Sequence, residues 1–474
     1  SIAQKKNHFY TFIVEGFPDG KLDFIGNALQ YEKNGVPKGT EELSRRVGFT
    51  GNVNYIYNNR YFMDLSFRVD GSSLFGTKNK FAPFWSAGIG WNVHNEKFMQ
   101  NQNIVNNLRI RGSYGETGSQ QFSSYQALST FQSYTGKRYI IWNGSELMGL
   151  GNEKLKWQVT KQLNGGVEVG LFDGRLSASF DIYSKKTSNL LSQMDLPLAN
   201  GFSSYVDNVG EVKNTGYEAM ISGYLMRDTH RNIIWSITAK LAYTKNEITK
   251  LSEAIKRQNE LYKSKNVEIN QLLYEGYAQN SIWAVPSMGI DPSTGYEIFL
   301  DKNGNITDKW NPSDKRYFGV DEPKYRGNIS TYFAWKDLSV NLSFAYQWGG
   351  QQYNETLLNK VEVTNGEIDK NNVDSRVLKK RWQYIGDVKP YKGYGSVETK
   401  ATSRFVMDDN VFQFQSASVE YRLHSDFLRD KWKVETISIG ANMSDIFYIS
   451  SIKRERGTSY PFARRLALTL SLMF

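Results

Sequence analysis

The stretch LNGGVEVGLFDGRLSASFDI, residues 163–182, reads as two β-strands joined by a tight turn. Apolar or small residues fall on alternate positions on both sides of the turn: Leu163, Gly165, Val167, Val169, Leu171, Leu176, Ala178, Phe180 and Ile182. Because successive side chains of a strand point to opposite faces, each run has one apolar face and one mostly polar face. Asp173-Gly174 between the runs is a strong hairpin signal. The stretch therefore predicts an antiparallel hairpin with one apolar side.

The same alternation recurs along the chain and ends in LALTLSLMF, residues 466–474, where four leucines and Phe474 share one face. The pattern predicts about 13 strands, most of them longer than the ~5–6 residues usual in soluble sheets and long enough to cross a bilayer. They are expected near 46–57, 61–72, 81–94, 107–116, 157–172, 174–188, 208–226, 233–249, 325–336, 338–350, 411–424, 432–446 and 461–474.

The connections between these strands alternate in length, and they distinguish a membrane sheet from a soluble one. Short links are expected near 58–60, 95–106, 173–174, 227–232, 337 and 425–431, and long loops at 117–156, 189–207, 250–324 and 351–410. Short turns at one end and long extracellular loops at the other are typical of outer-membrane barrels. We therefore predict an all-β, antiparallel transmembrane barrel over 46–474, with 1–45 as an extracellular loop segment leading into it.

Composition excludes several classes of function. The 474 residues include no cysteine, so disulfides and thiol chemistry are ruled out. The 58 basic and 48 acidic residues are scattered, which favours a solvated loop surface over a nucleic-acid interface. The four histidines lie far apart, and no nucleotide loop or serine-nucleophile motif occurs. DKNGNITD, residues 301–308, resembles the start of a calcium loop, but Pro312 stands at the twelfth position and the run reads better as a hairpin turn. We predict no enzyme activity, no metal and no cofactor.

Two sets of residues are candidates for function. Charged side chains on the polar face are predicted to line a wet lumen or hold a plug, or else to satisfy one another in a charge network: Asp64, Arg68, Arg109, Arg111, Glu168 and Asp181. Tryptophans in the long loops are predicted to contact a ligand or a lid protein, or else to pack loop on loop: Trp142, Trp283, Trp310 and Trp382.

Several segments resemble the SusC/RagA family of TonB-dependent outer-membrane transporters of Bacteroidetes. RVDGSSLFGTKNKFAPFWSAGIGWNVHNEKFM (68–99) is similar to the family's R-x-D-G-S-S-x-F-G signature and the strand that follows it. LRIRGSYGETG (108–118), VGEVKNTGYE (209–218) and PKYRGNISTYFAWKDLSVNLSFAYQWGG (323–350) keep the family's order and spacing. The resemblance extends over about residues 45–474.

This resemblance implies a barrel of about 22 strands, an N-terminal plug inside it, a segment that contacts the TonB complex, and a SusD-like surface lipoprotein as a lid. It also implies that the end of the last strand, with Leu470, Leu472 and Phe474, is the signal read by the barrel-assembly machinery. Nothing in the chain resembles the plug, so we expect the plug, the remaining strands and the TonB contact to lie in a separate portion of the same protein.

The predicted function is import of a large nutrient, an oligosaccharide or oligopeptide, across the outer membrane, where the strands contact lipid. The alternatives are a passive porin-like pore and a surface binding or adhesin β protein. A plug in the complete protein would exclude the first alternative, and solubility without detergent would favour the second.

Overall fold

The computed structural model describes residues 1–17, 24–32, 38–76, 79–119, 126–196, 201–202, 204–265, 272–363, 373–395, 398–453 and 464–474. Within this part of the chain, fourteen strands form one sheet whose spatial order equals the chain order, and every neighbouring pair is antiparallel. The strands are β1 Ile2–Thr11, β2 Lys38–Tyr57, β3 Tyr61–Ser72, β4 Phe81–Asn92, β5 Val105–Ser119, β6 Gln158–Leu171, β7 Leu176–Asp195, β8 Ser204–Asp228, β9 Ile233–Leu251, β10 Tyr325–Trp335, β11 Leu338–Trp348, β12 Val411–Leu423, β13 Thr436–Ser450 and β14 Leu466–Met473.

Short turns at one end of the sheet have the backbone that their residues favour. Asn58 and Asn59 join β2 to β3 with φ of 51° and 54°, and asparagine tolerates this left-handed region better than most residues. Phe172, Asp173 and Gly174 between β6 and β7 also have positive φ. The tight turns therefore fix the register of the strands that they join.

The strand register places all the alternating apolar residues on one face, here called the apolar face. Along one row of paired residues, Leu468 lies opposite Ala441, Ala441 opposite Val419, and Val419 opposite Val340. At the other end of the sheet, Leu65 pairs with Val53 and with Ala87. The opposite face, here called the polar face, carries residues such as Thr469, which pairs with Gly440.

Aromatic side chains form ladders near both ends of the apolar face. At the short-turn end, Tyr61 stacks on Trp91 with ring centroids 6.4 Å apart. Toward the loop end, four stacked or tilted rings cross β8 to β11: Tyr217, Tyr243, Tyr325 and Trp348, with neighbouring centroids 5.0–5.3 Å apart. On β9, Trp235 and Tyr243 lie eight residues apart, ~27 Å along the strand, which matches the ~25 Å height of the apolar band in membrane barrels.

The structure differs from the prediction at both ends of the chain and in one loop. Most of the predicted long loop 189–207 is strand, because backbone pairing extends β7 to Asp195 and β8 begins at Ser204. Residues 2–11, expected to belong to a loop segment, form strand β1 and pair with Lys38–Val47. The alternation of apolar and polar residues does not predict β1, because its sequence IAQKKNHFYT has polar residues on both faces. Backbone hydrogen bonds to β2 and a Lys6–Glu41 ion pair of 3.0 Å stabilise the strand instead. Asp426–Trp432 forms a short helix, so β13 begins at Thr436 rather than near 432. Residues 461–463 of the last predicted strand lie outside the described residues.

The long connections have secondary structure of their own. A hairpin of Thr130–Tyr139 and Trp142–Gly149 lies between β5 and β6, and Val14–Glu15 pairs with Gln30–Tyr31. Between β9 and β10 lie the helix Glu253–Lys265 and two small sheets, Ser281–Ala284 with Arg316–Val320, and Ser287–Ile290 with Glu297–Leu300 and Ile306–Thr307. Gln351–Tyr353 pairs with Val406–Asp408 in the last long connection. No helix in the described ranges is both long and apolar enough to span a bilayer.

The two faces of β14 give a direct test of this arrangement. An arginine at mid-membrane on a lipid-facing position costs ~2–4 kcal/mol, whereas a lumen-facing position tolerates it. We expect Leu468→Arg to reduce the amount of folded protein in outer membranes several-fold, and Thr469→Arg to leave most of it. Heat-modifiable mobility on gels measures the folded fraction, and equal losses in the two variants would contradict the assigned faces.

Candidate functional site

The charged residues singled out from the sequence all lie on the polar face, on four strands. Asp64 and Arg68 are on β3, Arg109 and Arg111 on β5, Glu168 on β6 and Asp181 on β7. Their register positions alternate with the apolar residues described above. The sheet thus brings them to one surface, where they have different environments.

Arg111 is the centre of a charge network that spans three strands. Its Nη2 lies 2.7 Å from Asp181 Oδ1, and its Nε lies 3.5 Å from Glu168 Oε1. Gly166 sits between Arg111 and Asp181 in the register of β5, β6 and β7. A Cβ on Gly166 would lie 2.2 Å from Asp181 Oδ1, so the glycine provides the space in which this ion pair forms across the middle strand.

Arg109, Asp64 and Arg68 lie outside that network. The Arg109 guanidinium stacks over the Phe62 ring at 4.2 Å from its centroid, and its Nε is buried without a hydrogen-bond partner in the described chain. Asp64 accepts a hydrogen bond from Asn54 Nδ2, and Arg68 pairs with Asp70 two residues along its own strand. Arg109 is therefore stabilised by an aromatic face rather than by an acid.

A polar recess of about 530 Å³ opens on this face between β3 and β8. Charged, amide and hydroxyl side chains line it: Asp64, Arg109, Arg111, Gln162, Asn164, Asp181, Tyr183, Lys185 and Glu218. The recess contains both acidic and basic side chains, so its electrostatic potential is neither wholly positive nor wholly negative. Such a surface suits water or a polar occupant.

The two longest loops, 250–324 and 351–410, fold together into one unit, here called the loop module. Ser403 N donates to Val285 O at 2.9 Å, and Ser287 N donates to Ser403 Oγ at 3.0 Å. Gly386 N donates to Pro292 O at 2.8 Å. These bonds join segments more than ninety residues apart, so the two loops are fixed to each other.

A buried charge cluster lies inside the loop module. Arg404 makes a bidentate contact with Glu297 at 3.1 and 3.0 Å, and its Nη2 lies 2.7 Å from Glu362 Oε1. Lys392 Nζ lies 3.8 Å from Glu297, and the side chains of Lys392, Glu297 and Glu362 are at most 3% exposed. Thr399 donates to Glu362 at 2.6 Å, so both carboxylates have several partners.

The cluster also affects protonation. Burial opposes the charge on Arg404, but its hydrogen bonds to Glu362 and Glu297 outweigh this effect and raise its pKa. Burial lowers the pKa of Lys392 despite the two acids. Burial also raises the pKa of the neighbouring Tyr353 to about 12, so that phenol is neutral at physiological pH. Sequence reasoning did not identify these residues, although Glu297 in the apolar strand EIFL was an available signal.

The four predicted loop tryptophans have different surroundings. Trp310 Nε1 donates to Ala401 O at 3.1 Å, and Trp382 Nε1 donates to Pro292 O at 2.9 Å, so both join the two loops of the module. Trp283 packs among Tyr274, Tyr277 and Tyr317 with ring centroids 4.8–5.9 Å away. Trp142 is 70% exposed at the start of its hairpin strand.

The DKNGNITD run forms a hairpin turn between Glu297–Leu300 and Ile306–Thr307. The Asp301 carboxylate accepts hydrogen bonds from the backbone N–H groups of Asn303 and Asn305, both at 2.8 Å. These bonds lower the pKa of Asp301. In the described part of the chain, no group of three or more His, Cys, Asp or Glu residues is placed to hold a metal ion.

Comparison with known proteins identifies the family. The family described as TonB dependent receptor-like, beta-barrel matches residues 30–442. The chain belongs to this TonB-dependent receptor β-barrel family. Its sheet therefore belongs to an outer-membrane barrel, and the apolar face has the side chains that suit contact with lipid.

Two curated relatives, one of them a SusC protein, confirm the resemblance found in the sequence. TonB-dependent receptor P3 of Formosa agariphila is 29% identical, over 95% of this chain and 45% of its own length. TonB-dependent receptor SusC of Bacteroides thetaiotaomicron is 26% identical, over 69% of this chain and 34% of its own length. The chain thus spans less than half the length of these relatives.

Solved structures agree in fold. The RagAB peptide importer in its closed-closed state superposes with a TM-score of 0.81 at 23% identity, covering 95% of this chain and 49% of that chain. At that identity the likeness establishes the fold of the TonB-dependent receptor barrel and no more.

Two adjacent glycines on opposite faces test the Arg111 network. Gly166→Val should displace the Asp181 carboxylate, break its pair with Arg111, and destabilise the barrel by about 1–3 kcal/mol. Gly165→Val is the control, because its Cβ would point to lipid with Ile182 Cγ2 as the nearest atom, at 3.7 Å. The temperature at which the folded band is lost on gels should fall for Gly166→Val alone, and an equal fall for both variants would contradict the role of the glycine.

Removing the central cation of the buried cluster tests the loop module. Arg404→Met leaves Glu297 and Glu362 buried without it, and we expect a loss of about 3–5 kcal/mol in the stability of the module. Lys400→Met is the control, because Lys400 pairs with Glu398 at 3.3 Å on the surface and should contribute only ~0–1 kcal/mol.

Protease added to intact cells measures this loss of stability and also the sidedness of the long loops. Arg404→Met should become sensitive to cleavage within 250–324 or 351–410, whereas Lys400→Met should remain as resistant as the parent. Resistance of Arg404→Met equal to that of the parent, both in intact cells and after detergent lysis, would contradict the structural role of the cluster. Cleavage of Arg404→Met only after lysis would instead contradict the extracellular position of the loops.

Proposed function

We propose that this chain is the barrel portion of a SusC-like TonB-dependent transporter that imports a large nutrient, an oligosaccharide or an oligopeptide, across the outer membrane. The observation that carries the proposal is the sheet with a continuous lipid-contacting face and a charged opposite face. Membership of the TonB-dependent receptor family supports energy coupling, and the relatives' greater length supports a plug in the rest of the protein.

In this proposal the polar face lines the barrel lumen. The Arg111 network and the polar recess beside it give the lumen wall fixed charges of both signs, which suit hydrated cargo and a polar plug surface better than an apolar ligand. Arg109 stacks on an aromatic ring and has no acidic partner among the described residues, so it is available to bind a carboxylate from outside the chain.

The loop module lies at the end of the sheet opposite the tight turns, and we infer that this end is extracellular. Its folded core supports a role as a rigid docking surface for a SusD-like lipoprotein lid. Trp142, which is highly exposed, is the loop tryptophan best placed to contact cargo or lid. Peptide import is a property of the RagAB proteins, and the proposal for this chain includes both oligopeptides and oligosaccharides.

Uptake by cells tests this function. The complete protein and its neighbouring lipoprotein are expressed in a strain that lacks both, and the cells receive labelled oligopeptides or oligosaccharides of graded length. We expect accumulation of one class, and loss of that accumulation when TonB is deleted. TonB-independent accumulation would instead indicate a passive pore, and no accumulation of either class would overturn the proposal.

A further inference from the structure

An apolar groove of about 520 Å³ runs over the lipid-contacting face between β2 and β5. Apolar and aromatic residues line it together with Gly90, Gly112 and Arg111: Tyr55, Tyr61, Phe62, Met63, Ile89, Trp91 and Ile110. The surface around it is the part of the sheet that faces the bilayer, so the material available to fill the groove is lipid.

At its β5 edge the groove has no side chain at Gly112, and the next strand has none at Gly165. Gly112, the middle residue of β5, pairs with Ile89 on one side and with Gly165 on the other. A Cβ on Gly112 would find only one atom within 4 Å, at 3.9 Å, and a Cβ on Gly165 would find only Ile182 Cγ2, at 3.7 Å. The neighbouring Ile89 is 66% exposed, so the two glycines leave a notch beside a projecting side chain.

One end of the groove is polar and lies at the short-turn end of the sheet. The hydroxyl of Tyr61 and the indole N–H of Trp91 both donate to Glu96 Oε1, at 2.7 and 3.0 Å. Arg60 Nη1 lies 3.5 Å from the other oxygen of Glu96, and the next residue, Lys97, is exposed. Aromatic rings with their polar tips held in this way mark the membrane–water interface, and basic residues there attract phosphate headgroups.

We propose that the groove is a binding site for a bilayer phospholipid, with one acyl chain in the Gly112–Gly165 notch and the phosphate beside Arg60 and Lys97. The open space at the glycines accommodates the acyl chain, which packs against the apolar walls of the groove. The positive charges of Arg60 and Lys97 attract the negatively charged phosphate. The site depends on the barrel's position in the membrane and not on transport, so it can be tested separately from the proposed function.

Glycine replacements on the same face provide matched variants. Gly112→Leu fills the notch with an apolar side chain that lipid contact tolerates. Gly51→Leu makes the same change on β2, where a Cβ finds nothing within 4 Å and which is not part of the groove wall. Lys97→Gln removes one headgroup cation without changing the notch.

The complete protein is extracted from outer membranes in mild detergent, and native mass spectrometry measures the phospholipid that remains bound. We expect the parent and Gly51→Leu to retain one phospholipid, Gly112→Leu to retain about tenfold less, and Lys97→Gln to retain less than the parent. Gel mobility before and after heating confirms that each variant is folded.

Three results would overturn the proposal. Equal phospholipid retention in Gly112→Leu, Gly51→Leu and the parent would mean that the notch binds no chain. A retained mass matching lipopolysaccharide would place a different lipid there. Loss of self-association in Gly112→Leu, without a change in bound lipid, would make the groove an interface between copies of the protein.

Discussion

The constraint on which this structure depends is that a bilayer offers no hydrogen-bond partner to a peptide group. Each unpaired N–H or C=O in hydrocarbon costs several kcal/mol, so a chain that crosses repeatedly as strands must pair each strand with its neighbours. The fourteen-stranded antiparallel order follows from this, because each inner strand is hydrogen-bonded to the sheet strands before and after it in the chain. With the backbone groups paired, the side chains need only be apolar where they face lipid and polar where they face water.

The loop module is stabilised by different physics. Its segments lie outside the hydrocarbon, where water can satisfy a backbone group, and it is held by a small number of specific contacts instead of a continuous ladder. The pairs of Arg404 with Glu297 and Glu362 are buried, and removal of one partner would leave an uncompensated charge. Such a cluster contributes geometric specificity: it fixes two loops from distant parts of the sequence in one relative position.

The sequence predicted what local periodicity and turn chemistry determine. The alternation of apolar and polar residues from Leu163 to Ile182 predicted β6 and β7, and Asp173-Gly174 predicted their turn. The pattern is informative because successive side chains of a membrane strand point in turn to lipid and to water. It missed β1, whose residues have no apolar side, and it could not identify the Arg404 cluster, since nothing local links residues 297, 362 and 404. Among the candidate lumen residues, Arg111, Glu168 and Asp181 form one network across three strands. The sequence could not predict this network, because it depends on the register in which the strands pair.

The same backbone constraint applies to the two edges of the sheet. Within the described residues, β14 pairs with β13 alone, and the Gly48–Tyr57 part of β2 pairs with β3 but not with β1, which covers only Lys38–Val47. Those edges carry rows of peptide groups that lipid cannot satisfy. In a bilayer both rows need partner strands, and a direct pairing of β14 with β2 would be one solution. The register argues against it, because β1 already occupies the outer half of the free side of β2. Strands from another part of the protein would satisfy both edges, and they would attach at the unpaired N–H and C=O groups of β14, of β1 and of the Gly48–Tyr57 part of β2.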